Sequence, residues 1–379
     1  MIGITEINDI REISTWKMSW KELLGKTRQA SFFQSPEWLE TYWTHFGQGK
    51  KLRVVIVSLQ RKPIGIVPFI VKQTPTRLGS IKVLTNPLDG WGSTFGPIGS
   101  NAAATLVSAF RHIKNTRRDW DMLDFRSVDT HGIDRRRVET ALRITDFQSY
   151  QRPWDRRSVV EMEDLNWDTY WATRSAETRA GYEDAERSLS QNGEVRLVRH
   201  RPEGSAYGDG NVNWSLFTAA ECLSNYSPAD RRFLREAHRH AVHSGMADLN
   251  VLYVGRKPVA SAYSYCNAGV LEGIHTSVAP GENLNTSMVM LGRMLQDSFE
   301  RNDRKFIFGT GCAEQKRHWQ TSVQTTFRYS HFPLMAPRSQ VFRFNHMLKN
   351  YLHKKVVREA EVQQVPHAVD PARGFPVIG

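Results

Sequence analysis

The feature that most constrains this chain is a strand pattern that occurs twice. Residues 53–71 read RVVIVSLQRKPIGIVPFIV, and residues 249–266 read LNVLYVGRKPVASAYSYC. Each holds two apolar runs around one triplet, Arg61-Lys62-Pro63 and Arg256-Lys257-Pro258. Proline fixes φ and a basic pair is well solvated, so each triplet is read as the tip of a β-hairpin. The segments downstream of the two hairpins match as well. After the first hairpin come an irregular stretch, an apolar helix candidate at 102–116 and a strand at 121–128 (DMLDFRSV). After the second come a strand at 270–278, a helix candidate at 286–301 and a strand at 305–311 (KFIFGTG). A period of about two hundred residues is too long for a solenoid and points to two homologous domains.

The chain of 379 residues can bury two cores of that size. Its first residues, MIGITEINDIREIS, show no basic leader before an apolar stretch, and no apolar run approaches the ~20 residues of a spanning helix. A cytoplasmic protein without a membrane span is expected. Three scattered cysteines, Cys222, Cys266 and Cys312, indicate neither a disulfide framework nor a zinc site. His240 and His243 share a helical face but lack an acidic partner at ligand spacing, so no metal is expected. The net charge of +12 is compatible with an anionic ligand, nucleic acid or an anionic membrane surface, and equally with a merely basic surface.

Helices are expected within 14–46, where Trp16, Trp20, Leu23 and Leu24 form one stripe. Ser35 and Pro36 then open a second apolar face carrying Trp38, Tyr42 and Trp43. Segment 163–192 reads as a charged helical region, 194–200 as a strand, 204–211 as a polar turn, and 214–222 and 230–243 as helices. The stretch from Lys354 onward has no sustained period. The loop 84–100 is rich in Gly and Pro and carries Trp91 and Phe95; it is either a packed loop or a pocket wall.

Two places in the second half could carry chemistry. The helix after Ala279-Pro280-Gly281 would begin near Asn285, Thr286 and Ser287. Its unpaired N–H groups and partial positive charge suit a phosphate or pyrophosphate, although an ordinary capped helix reads the same way. The strand 305–311 is followed by Glu314, Lys316, His318 and Trp319: a carboxylate, a cation, an imidazole and an indole within six positions. Strand ends are where α/β sites form, and a solvated turn with a core Trp is the alternative. Walker-type, GxGxxG and GxSxG motifs are all missing, which removes most support for kinase, dinucleotide and α/β-hydrolase readings. A transferase that joins two bound substrates by positioning needs no such signature.

These residues, in this order, resemble the GNAT superfamily of acyl-CoA N-acyltransferases. More narrowly they resemble its CelD-like branch (cellulose and polysaccharide biosynthesis type) and the tandem-domain Fem-type peptidyl transferases. The resemblance lies in SFFQSPEWLETYW and VVIVSLQRKPIGIVPFIV, then in SAETRAGYEDAERSLSQNGEVRL, VLYVGRKPVASAYSY and FGTGCAEQKRHW. It implies an α/β fold of two GNAT-like lobes with mixed sheets flanked by helices. The lobes would be 1–160 and 161–335, with an extension over 336–379. It implies donor pyrophosphate binding at Asn285, Thr286 and Ser287. Lys316, Glu314 and His318 would be catalytic, and Trp91, Arg179, Tyr182 and Trp319 would face substrate. Lys316 and Trp319 match the branch pattern, whereas Cys312, Ala313 and Gln315 stand where acids and a tyrosine are usual. The implied activity is transfer of an acyl group, such as acetyl from acetyl-CoA, to an amine on a small molecule, a sugar or a cell-envelope precursor. A Fem-like transferase using aminoacyl-tRNA and a non-catalytic binding protein of the same fold are the alternatives.

Overall fold

The computed structural model describes residues 2–76, 79–92, 96–129, 136–202, 211–282, 284–309, 313–334, 340 and 343, without the side chains of 284, 313 and 314. Phe95, the turn at 204–211 short of its last residue, Gly311, Cys312 and the tail from Lys354 lie outside the described residues. So does the extension over 336–379 apart from Gln340 and Arg343.

The first half runs β1 (Ile2–Ile7), α1 (Ile13–Gly25), α2 (Pro36–Phe46), β2 (Lys51–Leu59), β3 (Lys62–Thr76), β4 (Gly79–Thr85), α3 (Ala102–Asn115), β5 (Met122–Asp129), α4 (Arg137–Ile144) and β6 (Ser149–Glu161). The second half adds α5 (Trp167–Ala172) and α6 (Ala176–Ser190). It then repeats the order with β7 (Val195–His200), α7 (Trp214–Cys222), α8 (Pro228–His243), β8 (Ala247–Val254), β9 (Lys257–Asn267), β10 (Val270–Val278), α9 (Leu284–Glu300), β11 (Lys305–Ile307), α10 (Ala313–Arg317) and β12 (Ser322–His331). All the strands join one twelve-stranded mixed sheet in the order β1-β2-β3-β4-β5-β12-β6-β11-β10-β9-β8-β7.

The two hairpins are equivalent down to their register. Leu59 pairs with Lys62 and Val254 with Lys257. The tips therefore sit one residue earlier than the triplets suggest, at Gln60-Arg61 and Gly255-Arg256. Gln60, Arg61 and Gly255 have φ of 49°, 67° and 59°, the left-handed values that tight two-residue hairpin loops demand. Lys62-Pro63 and Lys257-Pro258 instead open the return strands. In both hairpins the register slips directly after the proline, between Val57 and Ser58 in one and between Leu252 and Tyr253 in the other. A bulge at this point accommodates a residue that cannot donate to the ladder.

The last strand of each half is exchanged. β6, from the first half, pairs with β11 of the second through Lys305–Glu161 to Ile307–Val159. β12, from the second half, pairs with β5 of the first, and β6 and β12 pair with each other at the centre. Neither half-sheet is complete without a strand from the other.

Helices α3 and α9 cover one face, with Phe110 of α3 packed on Phe69 and Phe125. On the opposite face, α2 and α8 meet between the lobes. Phe46 and Trp38 pack on Phe233 at 4.8 and 5.5 Å between ring centroids, and His45 Nε2 lies 2.7 Å from Glu236 Oε2. Phe32 and Phe33 pack on Tyr265 of the second half, one tilted and one edge-on. One apolar cluster thus runs through both halves, and its area is what holds the lobes in register. No helix among the described residues is long and apolar enough to cross a membrane.

Candidate functional site

β10 and β11 are parallel and paired over only three positions, Val270–Lys305, Leu271–Phe306 and Glu272–Ile307. Beyond them the strands part around two glycines. A Cβ on Gly309 would stand 2.7 Å from the Gly273 carbonyl oxygen, and one on Gly273 would stand 2.8 Å from the Gly309 nitrogen, so side chains are excluded by backbone. β10 then bulges between Gly273 and His275 and stays paired with β9 to Val278. Its other edge has no strand partner past Glu272 among the described residues. That edge offers backbone N–H and C=O groups to an extended ligand, as a missing strand would.

A cavity of about 620 Å³ fills the fork. On the α9 face it is lined by Ser287, Leu291, Met294, Phe306 and Phe308, with Gly309, Gln315 and Lys316 at the side. It is also lined by Tyr263, Ile274 and His275, which belong to the α8 face. Tyr263 places its hydroxyl 2.9 Å from Nδ1 of His238 on α8, and the His275 ring lies 4.6 Å from that of Tyr226, just before α8. The cavity therefore reaches through the sheet, as splayed strands allow. The apolar α9 side suits a slender, largely apolar arm, and the far side presents an imidazole and a phenol.

Burial lowers the pKa of His275 below its ordinary value, so its imidazole is neutral near pH 7. Its Nε2 lies 2.6 Å from Ser277 Oγ. Burial also pushes His238 down to about 3, and the Tyr263 hydroxyl is raised well above the ordinary phenol value, burial again being the main cause. At the mouth, Glu282 Oε2 accepts from Thr286 Oγ1 at 3.1 Å and Glu282 Oε1 lies 3.4 Å from Lys257 Nζ.

The residues singled out in the sequence divide between this cavity and the core. Lys316 lines the cavity and donates from Nζ to the Gly309 carbonyl. Ser287 lines it too. α9 is already running at Leu284, ahead of the expected start, so Thr286 lies in its first turn, fully buried with its hydroxyl on Glu282, while Asn285 is exposed. Glu314 sits on α10. His318 is exposed, with Nδ1 3.1 Å from Thr178 Oγ1 and away from the cavity lining.

Trp319 and Tyr182 pack against each other and against Trp171, and Trp319 is 1% exposed; its carbonyl accepts from Tyr170 and Arg174. Gly292 of α9 is the contact that lets Tyr182 in, because a Cβ there would lie 2.2 Å from its ring. Arg179 donates to the Ala172 carbonyl. Trp91 packs on Phe233 and Tyr226, one ring removed from His275. The residues that sequence reasoning missed are Gly273, Tyr263 and His275. The available signal was a histidine two residues after a glycine within the expected strand 270–278.

Residues 176–317 match the model of an acetyltransferase (GNAT) domain, from the first residue of α6 to the last of α10. No curated protein matches the chain. Among solved structures, the chain is similar to a crystal structure of FemX, at 11% identity and a TM-score of 0.58, over 89% of this chain and 99% of that one. It is also similar to the C-terminal domain (DUF2156) of a putative lysylphosphatidylglycerol synthetase from Agrobacterium fabrum, at 7% identity and a TM-score of 0.52, over 88% and 96% of the two chains. At these identities the likeness is one of fold. The chain has the GNAT fold, twice over, with the terminal strands exchanged.

Proposed function

We propose that this protein is an N-acyltransferase. It moves an acyl group, in the simplest case acetyl, from coenzyme A to an amine on a small molecule, sugar or cell-envelope precursor, as its likeness to the CelD-like branch suggests. The observation that carries the reading is the cavity in the β10–β11 fork, apolar on the α9 face and ending at His275 on the other. The pantetheine arm would lie along the unpartnered edge of β10, pair with its backbone groups and present the thioester between the strands. Ser287, Asn285 and the start of α9 would face the diphosphate.

The acceptor amine enters from the α8 face. Its nitrogen attacks the thioester carbon, a C–N bond forms, and the C=O electron pair moves onto oxygen. Backbone N–H groups of the β10 bulge would stabilise that oxyanion. Neutral His275 accepts the proton leaving the amine nitrogen. The tetrahedral species then collapses, the C–S bond breaks, and the thiolate departs with the electron pair and takes up a proton. Lys316 holds the Gly309 carbonyl and so fixes the far wall of the fork.

A second reading is favoured by one observation. The Glu282 carboxylate stands at the mouth of the cavity, where a diphosphate would meet like charge. A donor carried on tRNA, as in a Fem-like transferase, would bring its phosphates elsewhere, and the net charge of +12 suits it.

The experiment is calorimetry with acetyl-CoA, followed by release of free CoA thiol in the presence of a panel of amines. Binding in the micromolar to millimolar range and amine-dependent thiol release are expected, with His275→Ala binding acetyl-CoA normally and turning over ~10²-fold or more slower. Absence of acetyl-CoA binding by the intact protein, together with salt-sensitive binding of aminoacyl-tRNA, would replace the first reading by the second.

A further inference from the structure

Ser277 and Ser224 make a short hydroxyl chain behind His275. Ser277 Oγ is 2.6 Å from His275 Nε2 and 2.8 Å from Ser224 Oγ, and Ser224 Oγ is 3.1 Å from the Ala220 carbonyl oxygen. Both serines are buried, at 7% and 8% exposure. A serine hydroxyl has one proton to give. The Ala220 carbonyl can only accept, so the Ser224 proton goes there. The proton between the two serines is then that of Ser277. With its proton spent, Ser277 can only accept from His275, and Nε2 must carry the hydrogen.

We infer that Ser277 and Ser224 are positioning residues for His275: their hydroxyl chain fixes the ring in the Nε2–H form and leaves Nδ1 as the nitrogen that takes the proton from the acceptor amine. The catalytic half of this inference rests on the reading of His275 as the base; the tautomer does not. Three features support it beyond the proton count. Among the described residues the His275 ring makes one hydrogen bond, through Nε2, so Nδ1 keeps its lone pair for a ligand. His275 borders the fork's cavity together with Ile274 and Tyr263 on the α8 face, so its ring faces the space where the proposed acceptor would sit. The Tyr226 ring, 4.6 Å away, resists rotation of the imidazole, and a ring flip would also give up the 2.6 Å bond. The arrangement does what a buried carboxylate does for the histidine of a hydrolase triad, using neutral groups and adding no charge.

The test reads the tautomer directly. Long-range ¹H–¹⁵N correlation spectra of the full chain labelled at histidine, with His275→Gln to identify the signal, should show His275 predominantly as Nε2–H in the wild type. Ser277→Ala should give a mixture of tautomers and lower kcat by ~10²-fold with KM nearly unchanged. Ser277→Thr keeps a hydroxyl and should restore both, and Ser224→Ala should act like a milder Ser277→Ala. An Nδ1–H wild type, a measurement that needs no variant to fold, overturns the inference. So does a Ser277→Ala protein whose His275 tautomer is unmoved. A shifted tautomer with unchanged turnover leaves the hydrogen-bond chain standing and removes His275 as the base.

Discussion

The two lobes have the same strands in the same register, yet one fork is open and the other is shut. Alignment through the hairpins places Glu272 at the position of Thr85, since Tyr265 pairs with Glu272 where Ile70 pairs with Thr85. Gly273 then corresponds to Asn86, and Gly309 to Arg126. In the N-terminal lobe, Thr85 Oγ1 donates to the Asp124 carbonyl and Asn86 Nδ2 donates to the Arg126 carbonyl at 3.2 Å, so side chains tie the end of β4 to β5. The chain then leaves the sheet and returns at Ile98, which bridges to Ile66 where β10 would continue. In the C-terminal lobe the equivalent carbonyl, that of Gly309, accepts instead from Lys316, β10 bulges at Gly273–His275 but stays in the sheet to Val278, and the fork stays open. The same backbone thus serves once as a wall and once as a site, and the residue after the third ladder pair decides which.

The loop that closes the first fork is itself used. Its Asp89 gathers Tyr42, Lys50 and Lys72, whose hydrogen bonds, against the cost of burial, hold its carboxyl at about 2. Two residues on, Trp91 reaches α8 of the other lobe. A lobe that has given up its fork has become part of the wall around its neighbour's.

The sharpest way to break the comparison is Gly273→Asn, which puts the closing residue of one lobe into the other. Its Cβ meets the Gly309 nitrogen at 2.8 Å and its amide can reach across the fork. Loss of acetyl-CoA binding is expected, with a destabilisation of about 1–3 kcal/mol from overpacking, read by calorimetry and urea titration. Binding retained at wild-type strength would show that the fork is not where the donor lies.

The second test uses a pair of buried ion pairs. Arg53 on β2 bonds Glu6 on β1 at 2.7 Å, and Asp248 on β8 bonds Arg199 on β7 at 2.7 Å. By register Arg53 corresponds to Asp248 and Glu6 to Arg199, so the two lobes hold the same bridge with its charges interchanged. Arg53→Met leaves Glu6 with His112 Nε2, 2.6 Å away, as a remaining partner, so it should cost somewhat less than the roughly 3–5 kcal/mol of a fully stranded buried charge. Glu6→Arg with Arg53→Glu should recover part of what either single reversal loses, short of all of it because Asp119 lies 3.3 Å from Arg53. A double reversal no better than the worse single one would mean that charge order, and not just pairing, is fixed in each lobe.

Much of this was legible in the sequence. β10 occupies the expected residues 270–278, α7 spans the expected 214–222, and the hairpins announce themselves. The central strands β6 and β12 were not legible. Arg152, Asp155, Arg156 and Arg157 in one, and Gln324, Thr326 and Arg328 in the other, put polar groups where a core strand should alternate apolar ones. Their order in the sheet depends on an exchange that no local pattern encodes. In the site, Lys316 and Ser287 stood out because they lie near a helix start and a strand end. Tyr182 and Trp319 stood out through the family resemblance, and their rings pack against each other and against Trp171. His275 carries no motif; only the fork, formed by residues more than thirty positions apart, gives it meaning.

A third test concerns pH. His238 has a folded pKa of about 3 because burial penalises the imidazolium, against ~6.5 when unfolded. The unfolded chain therefore binds the extra proton first, and stability falls as pH drops below 6.5 and continues to fall toward 3. At one unit below 6.5 this site costs ~1.4 kcal/mol at most, read as a lower urea midpoint. His238→Phe should flatten that slope while leaving pH 7.5 stability within about 1–2 kcal/mol, the cost of leaving the Tyr263 hydroxyl without its partner. An unchanged slope would show that His238 protonates freely and that the wall behind Tyr263 admits water.

The smallest expected effect separates the two donors. Glu282 lies at the mouth of the fork, joined to Thr286 Oγ1 and, at 3.4 Å, to Lys257. If coenzyme A binds with its diphosphate at the start of α9, Glu282 opposes it. Glu282→Gln keeps the shape and the acceptor for Thr286 and removes one negative charge. Affinity for acetyl-CoA should rise by roughly 3- to 10-fold at low ionic strength, about 1 kcal/mol. The gain should shrink as salt is added, since the mouth is open to solvent and the interaction is screened over ~10 Å at 0.1 M. The exposed Lys257 pair contributes little to folding, so the melting temperature should hardly move. A donor whose phosphates lie elsewhere gains nothing from the change. Equal affinity of wild type and Glu282→Gln for acetyl-CoA across the salt series would place the diphosphate away from α9, and the likeness between this fork and a coenzyme A site would then end at its apolar arm.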